Sequence, residues 1–382
     1  MSRLQWRTAG ESHGTGLIAL LEGFPAGVEL DPARVDAELE RRQGGYGRGG
    51  RMKIERDHAQ WISGMRAGRT LGSPIALLIE NKDATIERLP IPGNPRPGHA
   101  DLAGCQKLGV RDPRAVLERA SARETAARVA LGAIARQLLQ HFGVEIFAHV
   151  VELGGSAARA DAFDHAGEAR TDRRAQSEFY ALDPALEGPW RELVDRAREA
   201  GDTLGGVFEV RALGLPPGLG SYQQGPERLT ARLGGALLSI PAIKGVEFGL
   251  GFESARRPGS EVHDPIILAI DGAPFGRFAR SSNRAGGLEG GMTTGEALVV
   301  RAAMKPISTL RLGVETVDFA TGATVRATYQ RSDVTSVPAA SVVGEAVVAL
   351  ELAAAFLEKF PGDSLEELRR GYQAYVADLA RL

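Results

Sequence analysis

One cysteine, Cys105, occurs in 382 residues. An intramolecular disulfide and a thiolate-based metal cluster are therefore excluded. An excess of either charge is also lacking, since 46 Lys+Arg face 48 Asp+Glu for a formal net charge of −2. That balance argues against a general binder of nucleic acid or of membrane surfaces, so any anion site must be local. No long apolar run is free of charge. The most apolar stretch, 337–357 (VPAASVVGEAVVALELAAAFL), contains Glu345 and Glu351, which reads as a buried helix rather than a membrane span. The opening MSRLQWRTAGESHG has no apolar h-region, and the expectation is a cytoplasmic protein in a reducing compartment. G-x-x-x-x-G-K-[ST], a G-x-G-x-x-G opening a helix and H-E-x-x-H are all missing, and Ser12 in GESHG (10–14) directly precedes His13, neighbours that seldom form a Ser–His pair. P-loop, dinucleotide-fold and serine-hydrolase chemistry are thereby disfavoured, and no metal site is expected.

Glycine, by contrast, is plentiful: 48 residues spread without a repeat period, which implies many tight turns and close backbone approaches. Helices are expected at 31–43, where Asp31 caps and Pro32 opens, and from Ser121, where Ser121 and Glu124 form an S-x-x-E capping box, to Gly143. Further helices are expected at 188–200, 337–360 and 365–381, the last opened by a Ser364/Glu367 box. Strands are expected at 75–80, 144–153, 206–213, 246–252, 265–270, 297–304 and 323–330. The elements do not alternate in a βαβ rhythm, so the fold class is read as α+β, in one domain spanning 1–382. The polar, alanine-rich segment 156–187 is read as an exposed excursion.

The chemistry concentrates where arginine meets glycine. In 41–53, RRQGGYGRGGRMK, five cations and five glycines stand with no acid. Taken alone, this segment is balanced between a solvated surface loop and a clamp for carboxylate or phosphate, with an Arg/Gly RNA-binding segment a weaker third reading. Three similar places tip the balance toward an anionic ligand. They are PRPGH (95–99) with Arg96 and His99, RASARE (119–124) with Arg119 and Arg123 at a helix start, and the glycine-rich 286–309 ending in MKPIST. RSD (331–333) adds Arg331 and Asp333. Of seven histidines, His13 and His99 lie in glycine-bounded turns near arginines and are candidate general acids. His141 and His149 read as structural, and His58, His165 and His263 have no supporting neighbours.

These motifs together resemble the chorismate synthase family. The resemblance runs through AGESHGTGLIALLEGFPAG (9–27), RRQGGYGRGGRMKIE (41–55), RPGHADLAG (96–104), ERASARETAARVALGAIA (118–135), GGLEGGMTTGE (286–296), MKPISTL (304–310) and RSDVTSVPAASVVGEA (331–346). It implies a β–α–β layered sandwich assembled as a homotetramer. It also implies an anti-1,4-elimination that converts 5-enolpyruvylshikimate 3-phosphate to chorismate, using reduced FMN without net redox change. By the resemblance, Arg42, Arg48, Arg51, Arg123 and Arg331 hold the substrate anions and His13 protonates the leaving phosphate. His99 balances the charge of the reduced flavin, and Asp333, helped by Ser12, keeps flavin N5 unprotonated. The implied FMN contacts are Arg119, Ala120, Ser121, Pro241, Ala242, Gly290, Lys305, Pro306, Ile307, Ser308, Thr309 and Arg331. Ala120 and Pro241 depart from the polar residues common in relatives, so their contacts would be through backbone. Members of the family either reduce their flavin with NADPH or rely on an external flavin reductase. No reductase segment is evident, which favours the second. The alternatives kept are a flavin- or phosphate-binding relative without catalysis and the RNA binder.

Overall fold

A computed structural model describes residues 4–49, 56–270, 273–329 and 333–382. The first sheet is antiparallel and built from β1 (Gln5–Ala9), β2 (Gly16–Glu22), β3 (Gln60–Ser63) and β4 (Ile75–Glu80), in the order β1-β2-β4-β3. The period of two decides its faces. Leu17 pairs with Ile79, Ala19 with Leu77 and Leu21 with Ile75, and all six are buried on one side. The second sheet contains β5 (Glu145–Leu153), β6 (Ser156–Ala157), β7 (Gly206–Leu213), β8 (Ile243–Phe248) and β9 (Leu298–Met304), in the order β8-β9-β7-β5-β6. Phe208, Val210, Ala212, Leu298, Val300 and Ala302 share the large core with the first sheet's inner face.

Between the sheets lies a layer of helices: α1 (Pro32–Gln43), α4 (Thr125–Gln140), α8 (Leu229–Leu238) and α9 (Val337–Lys359). Two short helices, α2 (Asp101–Leu108) and α3 (Arg114–Ala120), precede α4. Three more, α5 (Ala162–Ala166), α6 (Arg170–Gln176) and α7 (Glu187–Ala200), lie between β6 and β7, and α10 (Leu365–Leu379) ends the chain. The α9 sequence is apolar on every side and must be enclosed. It is long and apolar enough to cross a membrane, yet 94% of its most apolar window is buried inside the protein. α4 packs on β2 and α9 on β5 and β7, with α4 and α9 against each other. Their contact is close because position 132 is glycine: a Cβ there would lie 2.4 Å from Ala346 Cα. The architecture is thus the α+β, β–α–β sandwich expected.

The α1 reading holds in detail. Asp31 accepts a hydrogen bond from Ala33 N (2.9 Å), and Arg41 and Arg42 fall in the last turn. The Ser364/Glu367 box is also formed. Several expectations need correction. Ser121 does not open the long helix through a box with Glu124. Its hydroxyl accepts from Arg123 N (3.3 Å) in a 3-10 turn over 122–124, and Glu124 pairs instead with Arg128 (3.0 Å) on the next turn. Segment 156–187 is not an exposed excursion. It folds into α5, α6 and short turns that bury Phe163, Phe179 and Leu182; helices of five to seven residues are too short to show a period. The strand expected at 246–252 runs over 243–248 and ends where Gly249 takes φ +54°. The strand expected at 323–330 shrinks to 324–326. The hairpin of β1 and β2 was not expected at all. His58 does have a neighbour, since its Nδ1 lies 2.7 Å from Asp36 Oδ2.

Candidate active site

The turns that leave the sandwich layers meet around four groups of side chains. The first is built on the turn between β1 and β2. Ser12 N donates to the Glu118 carbonyl (3.1 Å) and His13 N to Glu118 Oε2 (3.0 Å). His13 Nδ1 lies 2.9 Å from the same oxygen, and Ser121 Oγ donates to Ser12 Oγ at 3.3 Å. Asp83 Oδ2 stands 3.9 Å from His13 Nε2.

The second group is buried and cationic. Arg123 Nη1 donates to both oxygens of Asp57 (2.6 and 2.7 Å), and its Nε donates to Asn81 Oδ1 (2.8 Å). Asn81 Nδ2 in turn donates to Glu11 O (3.0 Å) and Gly14 O (2.9 Å), tying this group to the His13 turn. Arg42 Nε donates to Thr125 Oγ1 (3.1 Å), while its Nη1 is buried without a hydrogen-bond acceptor and 3.8 Å from Asp57. Burial, partly offset by Asp57 and reinforced by Arg123 and Arg48, lowers Arg42 to about 10. A guanidinium depressed by burial, with further cations beside it, is a place where an added anion is favourable.

The third group joins the glycine-rich loop to the start of α9. Arg48 Nη1 lies 2.7 Å from Asp333 Oδ2, and Asp333 Oδ1 accepts from Gly49 N (2.5 Å). Ser336 Oγ donates to Asp333 Oδ2 at 2.6 Å. The loop needs glycine here: Gly47 has φ +86°, and a Cβ on it would lie 3.0 Å from Thr335 Cγ2. Val334 N donates to Gly47 O (2.8 Å), which zips the two segments together.

The fourth group surrounds His99. Its Nδ1 is 2.5 Å from Asp101 Oδ1, and Arg96 Nε donates to Asp101 Oδ2 (2.7 Å). Burial alone would raise Asp101, but the His99 and Arg96 contacts hold it well below the usual carboxylate range. Lys305 Nζ donates to Gly98 O (2.8 Å), and Lys305 N donates to Ala242 O (3.0 Å). Thr203 Oγ1 donates to Ile307 O (2.8 Å), and Leu204 N donates to Val334 O (2.8 Å), linking this group to the third. Burial, together with Lys244, lowers the Lys305 ammonium. Ala242 stands at φ +71°, a conformation disfavoured for a residue with a Cβ.

Hydrogen bonds and ion pairs gather the sequence-derived residues into these groups: Ser12 and His13 with Ser121, Arg42 and Arg123 around Asp57, and Arg48 with Asp333. Lys305 reaches Gly98 beside His99 and bonds Ala242, with Pro306, Ile307, Ser308 and Thr309 on the same segment. Arg119 and Ala120 end α3, and Arg119 donates to Thr8 O (2.9 Å) and Gly10 O (3.1 Å). Pro241 adjoins Ala242. Gly290 lies in the turn joining Leu288–Glu289 to Met292–Thr293, and Gly291 O accepts from Leu229 N (2.9 Å). Arg51 and Arg331 lie outside the described residues.

Two things were missed. The arginines are not an open clamp or a solvated loop, because Arg48, Arg96 and Arg123 are each paired with a buried or half-buried aspartate. Of the carboxylates that pair here, Asp57 with Arg123 and Glu118 with His13 were not recognised, since they touch these partners only in three dimensions, and Asp101 was passed over although it stands two residues from His99. The donor set fits FMN chemically. Hydroxyls at Ser121, Ser308 and Thr309 and cations at Arg119 and Lys305 suit a phosphate and a polyhydroxyl chain, and Arg42 Nη1 marks a buried position for an anion. Among the described residues no cluster of three or more His, Cys, Asp or Glu could hold a metal ion.

Comparison with known proteins gives a consistent picture. A family model described as chorismate synthase matches residues 4–357. A chorismate synthase from Trichlorobacter lovleyi is 54% identical over 391 aligned positions, covering 98% of this chain and 99% of that protein. One from Geobacter sulfurreducens is 52% identical, covering 98% of each. A crystal structure of chorismate synthase superposes with a TM-score of 0.82 at 42% identity, covering 99% of both chains.

Proposed function

The chain belongs to the chorismate synthase family, and on that premise we propose that it catalyses the anti-1,4-elimination of phosphate and the C6 hydrogen from 5-enolpyruvylshikimate 3-phosphate, giving chorismate. It is a lyase of aromatic amino acid biosynthesis, acting as one domain over 1–382. The observation that carries the reading is the buried Arg42–Arg48–Arg123 group. Its two aspartates, Asp57 and Asp333, leave one positive charge uncompensated among these five residues, and Arg42 Nη1 has no acceptor. A substrate with one phosphate and two carboxylates supplies the missing negative charge in a site of low dielectric, where such contacts are strong.

Within that site Arg42, Arg48 and Arg123 orient the substrate, with Arg51 and Arg331 assigned to the same task. His13 delivers a proton to the departing phosphate oxygen. When bound, reduced FMN supplies electron density that helps expel phosphate and a nitrogen to take the C6 hydrogen, which Asp333 and Ser12 keep unprotonated. His99, anchored by Asp101 and Arg96, balances the charge of the reduced ring. Arg119, Ser121 and the Lys305–Thr309 segment hold the cofactor's phosphate and side chain, with Ala120, Pro241, Ala242 and Gly290 contributing backbone. The flavin is reduced by an external reductase, with NADPH as the alternative direct reductant. The enzyme works in the cytoplasm as a homotetramer. The apolar hairpin Ile266–Leu268/Phe278–Arg280, whose Ile266, Leu268 and Phe278 are more than half exposed, supports assembly with further copies.

The test is an anaerobic assay with substrate and chemically reduced FMN, following phosphate release and the flavin spectrum together. Many phosphates per flavin, with the flavin still reduced, is the expected result. His13→Ala and His99→Ala are each expected to lower turnover by roughly 10²–10⁴-fold. Binding of both ligands with no phosphate released would identify a relative that has lost catalysis.

A further inference from the structure

His13 stands on a turn whose own backbone does little to fix the ring. What fixes it comes from α3, 105 positions later in the chain. Glu118, only 2% exposed, grips the turn with both main chain and side chain. Its carbonyl accepts from Ser12 N (3.1 Å) and its Oε2 from His13 N (3.0 Å). Its two carboxylate oxygens lie 2.9 and 3.2 Å from His13 Nδ1. One turn earlier, Arg114 Nη1 donates to Glu118 Oε1 (2.8 Å) and so sets the plane of the carboxylate. The geometry points to Glu118 as a positioning residue that fixes the His13 ring with Nδ1–H donated inward, leaving Nε2 to exchange the proton with the departing phosphate. This inference rests on the reading of His13 as the proton donor.

The argument is one of donors and acceptors. An ionised carboxylate only accepts, so it pairs with Nδ1 only when Nδ1 carries the proton. Burial pushes Glu118 up, but its bonds to His13 and to Arg114 outweigh this and hold the carboxyl below the usual range, so it is ionised near neutral pH. With Nδ1 committed, the neutral ring has a single tautomer and the cationic ring carries its second proton on Nε2. Among the described residues Asp83 also faces the ring, 3.9 Å from Nε2. Glutamine at 118 would remove this selection, because its amide can also donate to an unprotonated Nδ1.

The experiment compares Glu118→Gln, His13→Ala and the double variant in the reduced-FMN assay, with ¹⁵N spectra of the His13 ring. Glu118→Gln is expected to lower kcat by about 10- to 100-fold, by analogy with removal of the partner that orients a metal-bound histidine. KM should be nearly unchanged, and no further loss should appear on top of His13→Ala. The spectra should show Nδ1 protonated in the wild type and a tautomer mixture in Glu118→Gln. Glu118→Asp, which keeps the charge, should restore the tautomer and more of the rate than Gln. An equal loss in the His13→Ala background, or an unchanged tautomer in folded Glu118→Gln, would overturn the proposal. Full activity in His13→Ala would sink the proton-donor reading and the proposal with it, and the spectra separate that failure from a failure of Glu118 to hold the ring.

Discussion

Glu345 sits on α9 in the middle of the helix layer, fully buried. Three guanidiniums converge on it: Arg41 from α1 at 2.5 Å, Arg136 from α4 at 3.0 Å and Arg174 from α6 at 3.3 Å. Glu38 shares Arg41 and Arg136, so three cations are balanced by two carboxylates. Glu345→Gln keeps the volume and removes the charge, leaving three buried cations against one anion. Breaking such a group by removing one partner costs about 3–5 kcal/mol. For a chain of 382 residues the unfolding entropy is about 0.8 kcal/mol/K, so the expected drop in Tm is about 4–6 °C. Scanning calorimetry at fixed protein concentration measures it. Glu345→Ala, which also opens a cavity, should fall further. A Gln variant within about 1 °C of wild type, beside a strongly destabilised Ala variant, would refute the electrostatic reasoning and assign the site's value to packing.

Three further outcomes are expected. Gly132→Ala places a methyl 2.4 Å from Ala346 Cα, against backbone that cannot yield, and should cost about 1–3 kcal/mol or more by thermal unfolding. A neutral result would show that α4 and α9 do not meet there. Burial raises both Glu38 and Glu209, but Arg41 and Arg136 around the first, and His149 and Arg211 around the second, outweigh it and hold each at about 2. Because these folded-state values lie below the ordinary 4.5, their stabilisation is complete above that pH and is lost as pH falls toward 2. Urea midpoints that stay level from pH 5 to pH 3 would contradict this. Leu268→Asp should yield a smaller species in light scattering at unchanged fold, and an unchanged mass would remove the hairpin from the assembly interface.

The sequence disclosed most where a pattern is local. α1 was legible because Asp31, Pro32 and Gly44 punctuate it, and α9 because it is apolar over more than five turns. β1 and β2 were obscured because their motif residues, Gly10 to Gly16, drew the eye to the turn rather than to the strands it joins. The segment 156–187 failed for another reason: its large apolar residues are sparse and are buried by other segments, Phe163 against Phe147 of the sheet and Phe179 against Trp190 and Tyr46. At the site, His13, His99 and the arginines were visible as unusual residues in glycine-rich turns. Asp333, the partner of Arg48, was visible too, but two other partners were not. Nothing local to Glu118 or Asp57 marks them as partners, and only the fold carries Glu118 to His13 and Asp57 to Arg123.

That dependence on distant segments has a kinetic side. Residue 13 meets 118, 49 meets 333 and 98 meets 305, so none of the groups forms from a single hairpin or helix pair. Contacts of such sequence separation form late, after the loops between them have been closed. In refolding from urea, helix and strand signals should therefore recover before any affinity for flavin. Ligand capture would serve as a clock for the last docking step, when both sheets have closed on the helices between them.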